Sequence, residues 1–339
     1  MKILIVPDVH GSHKWEEVKN KINTVDKIVF LGDYFDSWEN EWPDQGENFK
    51  NICDFKRANA DKVVLLIGNH DFGYISGTRE GGCVSGHQNS KVSEIRALIT
   101  ANLDIIDLAY EADGWVFSHA GFSKTWVGYM KHFLHEMLDK YPDDDGRTEF
   151  DSQEDYEQYW SKVESTALIW DENEWSISLL NEIWHKVSHF PSDENFYYSF
   201  DELIDWHGCF SGSGNEPTQG PTWIRPEALL ESAYYPYQVV GHTEYCIDGL
   251  ATLRENGNTI VMADSPHHSV FDVFDTEAPL EVMTMLEFSR FYKQTSKKIN
   301  NLKSLFGGLG ADYTEDEKIK KIEEEFGKEG AFFFYKNYF

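Results

Sequence analysis

Five short polar clusters carry side chains that could do chemistry: D-V-H-G at Asp8–Gly11, G-D-Y-F-D at Gly32–Asp36, G-N-H-D at Gly68–Asp71, S-H-A-G at Ser118–Gly121 and G-H-T at Gly241–Thr243. Aspartate carboxylates, neutral imidazoles and an asparagine carbonyl are the donor mixture that suits hard or borderline divalent cations such as Mn, Fe, Zn or Mg. A carboxylate such as Asp33 can bridge two ions and hold them roughly 3.5–4 Å apart, the spacing that two-metal phosphoryl chemistry uses. A single D-x-H or G-N-H-D means little, because either arises by chance in a turn. Five clusters in this order, each at the end of an apolar run, read as one metal-binding constellation.

Ligands so far apart in the chain need strands to bring them together. Short β-rich runs are expected at Lys2–Val6, Lys27–Leu31, Lys62–Ile67, Leu103–Ala109 and Trp115–Ser118. Apolar residues at helical spacing predict helices over Lys14–Ile22, Asn48–Ala58 and Lys91–Asn102. This alternation predicts a layered α/β core. Ligands of such sheets gather at the carboxyl ends of strands, and a glycine beside each candidate ligand lets the backbone turn sharply there. Strands resume at Gln238–Gly241, Thr259–Ala263 and Ser269–Phe274, with another expected at Glu281–Leu286. Charged helices, Phe288–Leu305 and Thr314–Phe326, then lead to the aromatic run Ala331–Phe339, read as a docked core element.

The ordered set resembles the calcineurin-like metallophosphoesterases. Within that superfamily it is most similar to the phosphoprotein phosphatase branch of serine/threonine phosphatases and diadenosine tetraphosphatases. The resemblance covers about Met1–Gly121 and Trp223–Ser265. It implies one α/β domain over 1–339, a four-layer α/β/β/α sandwich with a helical insertion or cap at 122–222 and a helical C-terminal extension at 287–339. It also implies two divalent ions, with Mn the first expectation. Asp8, His10 and Asp33 would hold the first, and Asp33 would bridge to a second completed by Asn69, His119 and His242. A metal-bridging hydroxide would be the nucleophile. His70 would protonate the leaving oxygen, with Asp36 fixing its ring, since a neighbouring carboxylate orients an imidazole and favours its charged form.

Phosphate recognition falls to Arg225 in T-W-I-R (Thr222–Arg225), similar to an arginine that the branch carries upstream of its last histidine motif; a planar guanidinium grips two phosphate oxygens at once. Two positions depart from the branch pattern. Ser37 stands where the branch carries a second phosphate-gripping arginine, and Arg79 in the loop Gly77–Gly82 is the candidate substitute. The branch's G-N-H-E is G-N-H-D here, a shorter acid expected to change only a contact behind the ligands. Glu244 stands where phosphodiesterase branches place a further histidine ligand, so it is a candidate ligand or an ordinary exposed acid. Asp264 resembles an acidic position of the phosphatase branch.

The resemblance leaves two readings of the reaction. Arg225 and the G-H-T form favour hydrolysis of a phosphomonoester on a protein or a small metabolite. Ser37 and Glu244 favour a diester or anhydride of a nucleotide, such as a dinucleoside polyphosphate or cyclic nucleotide. A non-catalytic scaffold is the third class, and the filled candidate ligand positions speak against it.

Composition bounds the partners. The chain has 30 Lys plus Arg against 59 Asp plus Glu, a net charge of −29, and 15% aromatic residues, a folded and acidic protein. Such a field repels nucleic acid and anionic membranes, so an anionic substrate is expected to be drawn by the metal ions. Cys53, Cys83, Cys209 and Cys246 form no C-x-x-C pair and read as reduced thiols. No run approaches the ~18 apolar residues of a membrane span, and the run Ile3 to Pro7 is too short for a signal-peptide core. A cytoplasmic location is expected. His13 and His87 lie near the expected loops, whereas His132, His135, His185, His189, His207, His267 and His268 have no spacing that demands a metal. The sequence carries no signal for oligomeric state.

Overall fold

The structure, a computed structural model, describes residues 1–37, 39–75, 84–130, 161, 176–187, 214–244, 250–264, 271–306, 313–314, 317–322 and 324–325. The first sheet is built from β1 (Lys2–Val6), β2 (Lys27–Phe30), β3 (Val63–Leu66) and β4 (Ile106–Asp107), all parallel, with β10 (Val273–Asp275) antiparallel on the free edge of β1. The second runs in the order β5 (Ala109–Ala112), β6 (Trp115–Ser118), β7 (Tyr237–Val240), β9 (Asn258–Met262) and β8 (Ala251–Glu255). Within it β6, β7 and β9 are parallel, and the outer strands β5 and β8 are antiparallel.

Side-chain alternation sorts every central strand between two cores. Ile3, Ile5, Val29, Leu31, Val64 and Leu66 face the second sheet and meet Trp115, Phe117, Val239, Val261 and Phe274. The alternate residues Leu4, Val6, Ile28, Phe30, Val63 and Leu65 face outward into a helical layer. That layer contains α1 (Asp44–Ala58), which buries Phe49, Ile52 and Cys53 at helical spacing, and α3 (Val92–Thr100), which buries Ile95 and Ile99. On the far side, α5 (Pro226–Ser232) packs Leu229 and Leu230 with Leu253, Ile260 and Met262 of the second sheet. The result is the expected four-layer α/β/β/α sandwich. At about 1.5–3 kcal/mol for each fully buried large apolar side chain, these cores oppose the entropy of ordering the chain.

Several elements differ from their sequence-based expectation. His13–Lys21 is a 3₁₀ helix, capped by Ser12, whose Oγ accepts the Lys14 N–H at 3.3 Å. Its buried residues, Trp15 and Val18, are three apart, which three residues per turn bring to one face. The run Leu103–Ala109 is not one strand: a 3₁₀ turn at Leu103–Ile105 leads into β4, and the chain crosses to the other sheet at Leu108. Strand β8 was not expected, and Glu281–Leu286 contributes only a bridge from Met283 to Leu253 before α6 (Met285–Phe306) begins.

Of the segment 122–222, the described part includes α4 (Ile177–Val187), which docks on this crossover. The Asn181 side chain accepts the N–H groups of Leu108 and Ala109, each at 3.1 Å, and donates to the Ala109 carbonyl at 2.8 Å. Trp184 Nε1 donates to the Ile106 carbonyl at 2.8 Å. The helix therefore supplies the hydrogen bonds that the backbone loses as it leaves one sheet for the other. Among the described residues no helix is long and apolar enough to cross a membrane.

Asn181→Ala leaves those backbone groups without partners and should destabilise the fold by about 1–3 kcal/mol. Urea unfolding measures this as a lower midpoint at unchanged slope; an unchanged midpoint would remove α4 from the account of the crossover.

Candidate active site

The five clusters meet at the carboxyl edge of both sheets. Asp8 and His10 follow β1, Asp33 and Asp36 follow β2, Asn69 and His70 open α2 (Asn69–Ile75) after β3, His119 follows β6, and His242 follows β7. Asp8, His10, Asp33, Asn69, His70 and His242 line a cavity of about 680 Å³, and His119 and Asp36 lie fully buried beneath it.

Hydrogen bonds fix the imidazole tautomers. His119 Nδ1 lies 2.9 Å from the Leu31 carbonyl, which can only accept, so Nδ1 carries the proton and Nε2 presents a lone pair. That nitrogen is 2.8 Å from Asn69 Oδ1 and 3.5 Å from Asp33 Oδ2, both acceptors. His10 repeats the pattern: Nδ1 donates to the Phe35 carbonyl at 2.9 Å, and Nε2 faces Asp33 Oδ2 at 3.7 Å. His242 Nδ1 lies 3.0 Å from Asn69 Oδ1, while its backbone N–H donates to Asp8 Oδ1 at 3.1 Å. Electron-pair donors thus face one another around Asp33. Candidate ligand atoms of Asp8, Asp33 and His119 lie within 4.8 Å of one another, as do those of His10, Asp33 and His70, so the two groups share Asp33.

Electrostatics gives the same picture. Burial, with Asp8 and Asp71 nearby, pushes the Asp33 carboxyl well above the usual carboxylate range. Burial lowers His119, and burial together with His119 and Arg225 lowers His242 well below the usual imidazole value. Charging these groups together is unfavourable until a cation sits among them. Oxygen and neutral-nitrogen lone pairs converging on a buried anionic site fit divalent ions.

The backbone is contorted to bring these groups together. His10, Asp33, Asp36 and His242 adopt left-handed φ values of 42°, 52°, 64° and 61°. Gly68 and Gly241 have ordinary φ and answer a different need from the expected sharp turn. A Cβ on Gly68 would overlap the Asp33 carboxylate and backbone nitrogen, and one on Gly241 would lie 2.6 Å from Asp8 Oδ1.

Around this centre, His70 Nδ1 lies 2.8 Å from Asp36 Oδ2, which leaves Nε2 as the nitrogen for the cavity. The His70 backbone N–H donates to Asp33 Oδ1 at 2.8 Å. In return, Asp71 crosses the other way, accepting the Tyr34 N–H at 2.6 Å and the Gly68 N–H at 3.0 Å. Burial pushes Asp71 up to about 8 even against those backbone donors. The short acid of G-N-H-D therefore ties the second strand's turn to the third's.

Arg225 precedes α5 and lines the cavity, with Nη1 3.4 Å from Thr243 Oγ1. Ser37, Glu244 and Asp264 also line it, Glu244 as an exposed acid. Arg79 lies outside the described residues. His13 pairs with Asp44 at 2.9 Å, and His87 stacks on Tyr74 with centroids 4.3 Å apart. Sequence reasoning missed Lys14 and Trp223 as cavity-lining residues: Lys14 was absorbed into a helical pattern, and Trp223 sat inside the motif that pointed to Arg225.

The sequence matches the family described as calcineurin-like phosphoesterase over residues 1–243, a span that ends on the G-H-T turn. A search of curated proteins returns no match. Among solved structures, the cold-active protein-tyrosine phosphatase of a psychrophile, Shewanella sp., aligns at 15% identity over 78% of this chain and 70% of its own, with a TM-score of 0.41. The metallophosphoesterase from Sphaerobacter thermophilus aligns at 23% identity over 36% of this chain and 47% of its own, with a TM-score of 0.25. With most of its length matched to the family, this chain belongs to the calcineurin-like phosphoesterases and is a metal-dependent hydrolase of phosphate esters.

Proposed function

We propose that the protein hydrolyses phosphomonoesters, on a phosphoprotein or a small phosphorylated metabolite, with two divalent ions, Mn first among them. Asp8, His10 and Asp33 would hold one, and Asp33, Asn69, His119 and His242 the other. When bound, the ions supply positive charge to the phosphoryl oxygens and acidify the attacking water. The observation that carries the reading is the pair of a half-buried His70 and a fully buried Asp36 at a cavity that Arg225 also lines.

The chain's own groups divide the remaining work. Asp36 holds His70 Nδ1, so Nε2 is the nitrogen turned to the departing ester oxygen, and a proton carried there is the one the ring can donate. That proton moves to the oxygen as the P–O bond breaks, and the Nδ1–H stays with Asp36. Arg225 lies where its guanidinium can hold two phosphoryl oxygens and offset charge that grows in the transition state. Asp33 must keep its position to serve both ions, and Gly68 and the His70 N–H keep it there.

A second reading, cleavage of a nucleotide diester or anhydride, is favoured by Glu244 and Ser37 on the cavity wall. The Mn-loaded protein is expected to turn over p-nitrophenyl phosphate faster than bis-p-nitrophenyl phosphate. Diester turnover well above monoester turnover would defeat the monoester reading in favour of the second.

Gly68→Ala puts a methyl group against the Asp33 carboxylate. It should cost about 10²-fold or more in turnover, as small misplacements of reacting groups do, and weaken Mn uptake measured by calorimetry. A folded variant with native uptake and rate would show that Asp33 need not be where it stands.

A further inference from the structure

Asp36 is entirely buried, so each carboxylate oxygen needs a donor. Oδ2 faces His70 Nδ1 at 2.8 Å. Oδ1 receives the hydroxyl of Tyr74, which stands four residues after His70 and therefore on the same face of α2. The carboxylate thus sits between an imidazole at the cavity and a phenol inside the protein.

Everything around Tyr74 holds it still. Its side chain is fully buried, and its ring lies stacked on His87 at 4.3 Å and edge-on to Phe35 at 6.1 Å. Arg96 Nε donates to its carbonyl at 2.7 Å, fixing the end of α2. The hydroxyl oxygen accepts the Gln88 N–H at 2.8 Å, which leaves the hydroxyl hydrogen for Asp36. Gln88 belongs to the same stretch as Val84 and Ser85, which border the cavity.

A carboxylate held at one oxygen turns readily about its last torsion, which is broad and roughly two-fold for aspartate. Held at both, it has one orientation. We propose that Tyr74 is a positioning residue for proton donation: its hydroxyl anchors Asp36, and Asp36 in turn keeps His70 Nε2 aimed at the leaving oxygen. This rests on His70 being the general acid, as argued above. Tyr74 contributes no proton to the reaction. The proton that reaches the departing oxygen comes from His70 Nε2, and the electron pair of the broken P–O bond stays on that oxygen.

The test compares a poor and a good leaving group in the metal-loaded full chain, using phenyl phosphate and 2,4-dinitrophenyl phosphate. The dinitrophenolate departs without a proton, so only phenyl phosphate reads the acid. His70→Asn should lose roughly 10²–10⁴ in kcat on phenyl phosphate and little on the dinitrophenyl ester. Tyr74→Phe, which keeps the ring, should lose roughly tenfold or more on phenyl phosphate, a part of the acid's contribution, with KM and the dinitrophenyl rate unchanged. In a His70→Asn background Tyr74→Phe should add nothing.

Equal losses on both esters, or none, would overturn the positioning role while leaving His70 as the acid. A His70→Asn loss that ignores the leaving group would overturn the acid assignment and the proposal with it. If Tyr74→Phe does not fold, proton NMR of the Mg-loaded wild type decides instead. An exchange-protected hydroxyl proton with NOEs to the Tyr74 ring is expected, and a freely exchanging one rejects the anchor.

Discussion

Lone pairs and negative charges face each other at the carboxyl edge of the two sheets, and the rest of the structure serves to keep them there. Asp8, Asp33, Asp36 and Asp71 are all buried, and His119 and His10 commit their Nδ1 protons to backbone carbonyls so that Nε2 of each turns toward Asp33. In water such groups would separate; inside the protein the low dielectric sharpens their repulsion and raises the worth of a cation between them. A chain of net charge −29 has little other positive charge to bring to a phosphate. Metal dependence follows from the electrostatics of the site as directly as from the family.

That arrangement explains oddities that local propensity does not. Left-handed backbone falls on His10, Asp33, Asp36 and His242 instead of only on their glycine neighbours, a strain that proteins retain where function needs it. Glycines 68 and 241 are there because carboxylates occupy the space where a side chain would begin. The cross-strand ties, Asp33 to the His70 N–H and Asp71 to the Tyr34 N–H, turn two neighbouring loops into one rigid unit. Catalytic groups on loops become accurate when the loops hold each other.

Much of this was legible in the sequence because it is carried by local signals. Strands buried on both faces are short apolar runs, and β1, β2, β3, β6 and β7 each end in a cluster whose residue types spoke of metal and phosphate. Three kinds of feature were hidden. The run Leu103–Ala109 reads L-D-I-I-D-L-A, apolar for the most part and without a strict two-residue alternation, so no period betrays that it leaves one sheet for the other; the instruction lies in Asn181, some seventy residues away. Strand β8, Ala251–Glu255, has charged residues at its end and gains its place only by pairing with β9. Tyr74 looks like any aromatic on a helix until the fold brings Asp36 to its hydroxyl.

Crystals loaded with Mn and measured at an anomalous wavelength test the central claim most directly. Two peaks are predicted in the cavity, one among Asp8, His10 and Asp33, the other among Asp33, Asn69, His119 and His242. A single peak, or two peaks that do not share Asp33, would contradict it.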